Sequence, residues 1–144
     1  MNPWRVLALL GTAALAAAQQ TPKMYPGAKI DQAGTEEARV ATATQPEIEM
    51  TVYATPDPFE KVYEYFKKTG KEYKVIGSGA RKLPNGQDLK NAFFILDEGN
   101  NLVASKRWVK LQRPYIGQYG LARKAPQAQN DIRDVTAIVL TVRK

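Results

Sequence analysis

The chain contains no cysteine and no histidine. Disulfide staples are therefore excluded, and so is any site built on a thiolate or an imidazole. Serine is scarce: Ser78 and Ser105 are the whole supply. With no histidine to act as base, serine nucleophile chemistry would need lysine. Lys68-Thr69-Gly70 matches one box of the penicillin-binding serine enzymes, but no Ser-x-x-Lys accompanies it, so it is read as a helix end. There are no internal repeats and no low-complexity segments. After the first twenty residues no apolar run is long enough to span a bilayer, which takes about 20 residues.

The 144 residues are 44% hydrophobic. That content suits one folded domain and argues against a disordered chain. The opening has the layout of a bacterial secretory leader. Arg5 is followed by an apolar run over residues 6–18, and Ala16 and Ala18 satisfy the small-residue rule for cleavage after residue 18. The sequence thus divides into a signal peptide at 1–18, an N-terminal arm at 19–34 and a single α+β domain at 35–144. The expected location is the periplasm or the outside of the cell.

Lys plus Arg number 21 and Asp plus Glu 14. The surplus is uneven: residues 99–130 hold six basic residues and no acid. These are Lys106, Arg107, Lys110, Arg113, Arg123 and Lys124, with Trp108, Tyr115 and Tyr119 interleaved. A basic and aromatic segment suits an anionic polymer, a lipid head group or an acidic protein. The plainer reading is a solvated face that keeps the chain soluble. These nine residues are the candidate ligand-binding set.

Residues 47–54 alternate, with Ile48, Met50, Val52 and Ala54 on one side, which predicts a half-buried strand. Residues 39–44 are expected to pair with it as a strand. Asp57-Pro58-Phe59-Glu60 reads as a helix start, with Asp57 as cap. Phe59, Val62, Tyr63 and Phe66 then form one apolar stripe, and Gly70 is expected to close the helix in the left-handed conformation. Strands are predicted at 73–76, 91–96, 102–111 and 135–142, the third with a helix as its alternative. Residues 77–86 read as a loop and 99–101 as a turn. The sum is an α+β fold: one amphipathic helix packed on a mainly antiparallel sheet of about five strands.

Catalytic chemistry has little to draw on. Glu47 and Glu49 share one strand side and are the nearest approach to the carboxylate pair of a glycoside hydrolase. Gly77-Ser78-Gly79 with Arg81 and Lys82 has the composition, without the spacing, of a phosphate cradle. No metal or cofactor is expected.

Tyr25-Pro26-Gly27-Ala28 is a type II turn pattern. Together with Thr51-Val52-Tyr53-Ala54-Thr55 and Asp57-Pro58-Phe59-Glu60-Lys61-Val62, it resembles a loose group of uncharacterised exported bacterial proteins. The resemblance covers residues 25–66. It implies a small α+β domain and assigns no catalytic residue. The sequence thus points first to an exported, non-catalytic binding module with an anionic partner. The alternatives are an envelope assembly protein and a carboxylate-dependent cell-wall or polysaccharide hydrolase.

Overall fold

Alternation decides the architecture. The computed structural model describes residues 23–76, 78–83, 85–116 and 132–144. In chain order these form β1 (Lys29–Ile30), α1 (Gln32–Ala41), β2 (Ile48–Thr55), α2 (Phe59–Thr69), β3 (Lys71–Glu72), β4 (Gly79–Lys82), β5 (Asp88–Ile95), β6 (Arg107–Arg113), β7 (Tyr115–Ile116), β8 (Ile132–Arg133) and β9 (Thr136–Arg143). One antiparallel sheet runs β1-β2-β9-β6-β5-β3, with β4 also paired to β5, and β7 and β8 pair separately. The fold is α+β as expected. Among the described residues there are two helices where one is expected and a seven-stranded sheet where about five strands are.

The two helices take opposite sheet faces. α2 lays Phe59, Val62 and Phe66 on Ala92, Phe94, Val109, Leu111 and Ile138. On the reverse face Ala38 of α1 packs with Val52, Tyr115 and Ala137. Each fully buried large side chain contributes about 1.5–3 kcal/mol, so the first cluster dominates.

The expected strand at 39–44 is instead the end of α1 and the turn after it. Asp31 caps this helix, its carboxylate accepting from Gly34 N at 2.8 Å. The buried residues of this helix are Gly34 and Ala38, too small to register as an apolar stripe. The segment expected to be an arm also enters the fold: Tyr25 is buried, and β1 pairs with β2.

Asp57 does not cap α2. Pro58 occupies that position and no side chain caps it. The Asp57 carboxylate is taken by the Tyr25 hydroxyl at 2.5 Å and by Lys61 at 3.3 Å. Burial, then the hydrogen bond to Asp57 and its charge, push the Tyr25 phenol up to about 12. Gly70 closes the helix with φ −137°, which is extended and not left-handed. Glycine is needed there for space: a Cβ would meet Ile95 O and Leu96 Cδ2 at 3.0 Å.

The strand expected at 73–76 lies earlier, at Lys71–Glu72, and Ile76 is fully exposed. The expected loop at 77–86 contains β4, held by backbone pairing to β5. β6 begins at Arg107 and not at 102, because a knot centred on Asp97 takes up the chain before it. The Asp97 carboxylate accepts from Gly99 N at 2.9 Å, Ser105 Oγ at 2.8 Å, Lys106 N at 2.6 Å and Arg107 N at 3.0 Å. The Arg113–Pro114 peptide, which is cis, ends β6.

A methyl group at Gly34 would sit 2.5 Å from Tyr115 Oη and 3.2 Å from Val52 Cγ1. Gly34→Ala should therefore cost about 1–3 kcal/mol of overpacking in urea unfolding. Burial opposes ionisation of Asp97, but its four donors outweigh that and hold its carboxyl below the usual range. Its contribution is full above the ordinary carboxylate pKa and is lost as pH falls through the lowered folded value. Asp97→Ala should cost about 2–3 kcal/mol at pH 7. The gap from the parent should narrow when unfolding is repeated near pH 2.

Candidate functional site

The basic segment does not survive as one patch. Side chains on a strand alternate between faces, and four of the nine residues, Arg107, Trp108, Lys110 and Arg113, are on β6. Arg107 and Arg113 share the α2 face with Val109 and Leu111, whereas Trp108 and Lys110 lie on the α1 face. Lys106 is exposed at the strand entrance. Tyr115 is buried under α1, with the Arg133 guanidinium 4.7 Å from its ring centre. Tyr119, Arg123 and Lys124 lie outside the described residues.

Arg113 acts as a clamp on the fold. Its Nη1 donates to Asp57 O at 2.9 Å and Thr136 Oγ1 at 3.1 Å; its Nη2 donates to Asp134 O at 3.1 Å. Asp134 also pairs with it at 3.1 Å. These bonds tie the end of β6 to the entrances of α2 and β9 and leave little for a ligand.

Trp108 and Lys110 acquire new neighbours through strand register. Across the α1 face, Lys71, Ile95, Trp108, Thr141 and Met50 form one row. Phe93, Lys110, Val139 and Val52 form the next. Arg81 stands beyond Leu89 on the same face, and Arg143 lies at the far end. Among the described residues, none of the strand positions on this face is acidic, and Lys29, Lys71, Arg81, Lys110 and Arg143 are basic. The Arg143 guanidinium lies 5.3 Å from the Trp108 ring centre and Lys110 Nζ 5.9 Å from that of Phe93. These are cation–π distances. The apolar cluster under α1 draws on β2 and β9 and takes nothing from β5 or β6.

Lys110 is a half-buried charge within this set. It makes no ion pair or side-chain hydrogen bond among the described residues. Burial, then the nearby Arg81 charge, pull its pKa below the ordinary lysine value. Register was needed to see this group, since Lys71, Arg81, Phe93 and Arg143 come from four other strands.

No protein-family model, curated protein or solved structure matches the chain.

The other sequence candidates are placed as follows. Glu49 is ion-paired to Lys144 at 3.0 Å on the surface, and Glu47 is exposed. Lys68 and Thr69 end α2 as expected. The phosphate-cradle reading is not matched by the geometry. Gly79 N already donates to Asn91 Oδ1 at 3.0 Å, and Arg81 and Lys82 lie on opposite sheet faces. Among the described residues, no group of three or more acidic side chains is placed to hold a metal ion.

The clamp role of Arg113 predicts a loss of stability without a loss of binding. Arg113→Ser should cost about 2–3 kcal/mol, because buried acceptors lose a charged donor. Polyanion affinity, measured below the unfolding range, should stay within twofold of the parent.

Proposed function

We propose that the chain is an exported, non-catalytic binding module whose α1-side sheet face takes a linear anionic polymer. The observation that carries this reading is the charge pattern of that face: five basic and no acidic strand positions among the described residues, with the half-buried rings of Trp108 and Phe93 among them. Lysine and arginine at strand spacing meet repeated anionic groups, and the rings give sugars or bases a stacking surface. The leader-like opening supports export. Lys110 supports a role for the face: it is a half-buried ammonium with no anionic partner among the described residues, and a bound anion would offset the cost of burying it.

A salt titration tests the reading. Parent protein and an Arg81→Ser, Lys110→Met variant are titrated with a heparin-like polysaccharide, single-stranded DNA and anionic vesicles. The variant should bind its best polymer at least tenfold more weakly, and its log affinity against log salt should flatten by about 2, one for each cation removed. Lys82→Ser, on the opposite face and ion-paired to Asp88, should change neither quantity. Lys110→Met alone should raise the thermal midpoint while weakening binding, as expected of a functional charge held against stability. Equal weakening by Lys82→Ser would reduce the effect to net charge and refute the assignment of the face.

A further inference from the structure

The opposite face carries a second site of different character. A cleft of about 510 Å³ opens between the first half of α2 and the β4–β5 pair. Its origin is visible in the sequence. The wall on β4 is Ser78, Gly79 and Ala80, all small, and Gly79 has φ +110°, which disfavours any larger residue. A Cβ built on Gly79 would touch nothing within 4 Å. The facing wall is aromatic. Phe59 and Tyr63, one helical turn apart, stack with ring centres 6.0 Å apart and planes 28° apart. Ala92 lies on the floor.

The polar groups of the cleft leave one negative charge in excess. Glu60 is paired with Lys90 across one end. Of the remaining charged groups, Glu64, Glu72 and Lys74, none is ion-paired among the described residues. The Tyr63 hydroxyl donates to Glu72 Oε2 at 2.6 Å. That bond, then burial, then the charges of Glu72 and Glu64, raise the Tyr63 phenol, so its proton stays on at neutral pH. Its oxygen lone pairs and the free carboxylate oxygen of Glu72 are then both acceptors at the edge of an aromatic wall. Aromatic faces with carboxylates and a neutral phenol suit an ammonium on an aliphatic stem, whereas an anion would meet three carboxylates. The volume is in the range of small-ligand sites and exceeds what a simple diamine fills.

We propose that this cleft binds the lysine side chain of an extended peptide, the stem lying along Phe59 and Tyr63 and the ammonium meeting Glu72 and the Tyr63 oxygen. The site is independent of the polyanion face and stands or falls without it. The test uses the whole chain labelled for amide NMR and three probes: acetyl-Ala-Lys-Ala-amide, acetyl-Ala-Glu-Ala-amide and cadaverine. The lysyl peptide should shift amides of α2, β4 and β5 and bind at least tenfold more tightly than the glutamyl peptide. Glu72→Gln and Ala80→Phe, the second filling the cleft from an exposed strand position, should each lower its affinity at least fivefold while leaving the remaining spectrum folded. Arg81→Ser, on the other face, should leave it unchanged. Equal binding of the two peptides, or indifference to both cleft variants, would overturn the site. Tighter binding of cadaverine than of the lysyl peptide would overturn the peptide assignment in favour of a free amine.

Discussion

Everything in this protein depends on the period of two in four long strands, β2, β9, β6 and β5. The alternation sends Phe94, Val109, Leu111 and Ile138 to α2 and sends Val52 and Ala137 to α1. A shift of one residue in any of these strands would exchange its two faces. The clamp at Arg113 and the knot at Asp97 sit at the two ends of β6 and hold that register. The same period that builds the core therefore sorts the charge. Acidic strand positions such as Glu49, Glu72 and Asp88 are on the α2 face, and the α1 face has none among the described residues.

This sorting gives one small domain two surfaces of unlike chemistry. A face that carries cations and rings suits a long anionic chain, which gains affinity by many weak charge contacts. A walled cleft with an excess carboxylate suits one cation with an apolar stem. The sheet separates them, so the two can be occupied together. A protein that joined an anionic polymer to a lysine-bearing peptide would need no catalytic group to do so.

How far the sequence discloses this depends on which residue carries each element. α2 is legible because Phe59, Val62, Tyr63 and Phe66 are large and helically spaced. β2 and β9 are legible because their apolar residues alternate or are β-branched. α1 is not legible, since it buries only Gly34 and Ala38. β4 is hidden for another reason: all four of its residues are exposed, and only backbone bonds to β5 make it a strand. The candidate site fails in the same way. A run of basic residues along one strand is divided between two faces, while the residues that join Trp108 and Lys110 lie on β3, β4, β5 and β9. Such neighbours are set by pairing register, which a single sequence does not print. The cleft is not legible either: its small residues Ser78, Gly79 and Ala80 read as part of a loop, and only the fold sets α2 opposite them.

The most direct test of the polyanion face uses its own chromophore. The sequence has two tryptophans, Trp4 and Trp108, so the full chain carrying Trp4→Phe reports from Trp108 alone. Titration with a heparin-like polysaccharide at low salt should produce a saturable change in its emission, reversed when salt is raised. Binding detected by calorimetry with no change in that emission would place the polymer elsewhere and contradict the account.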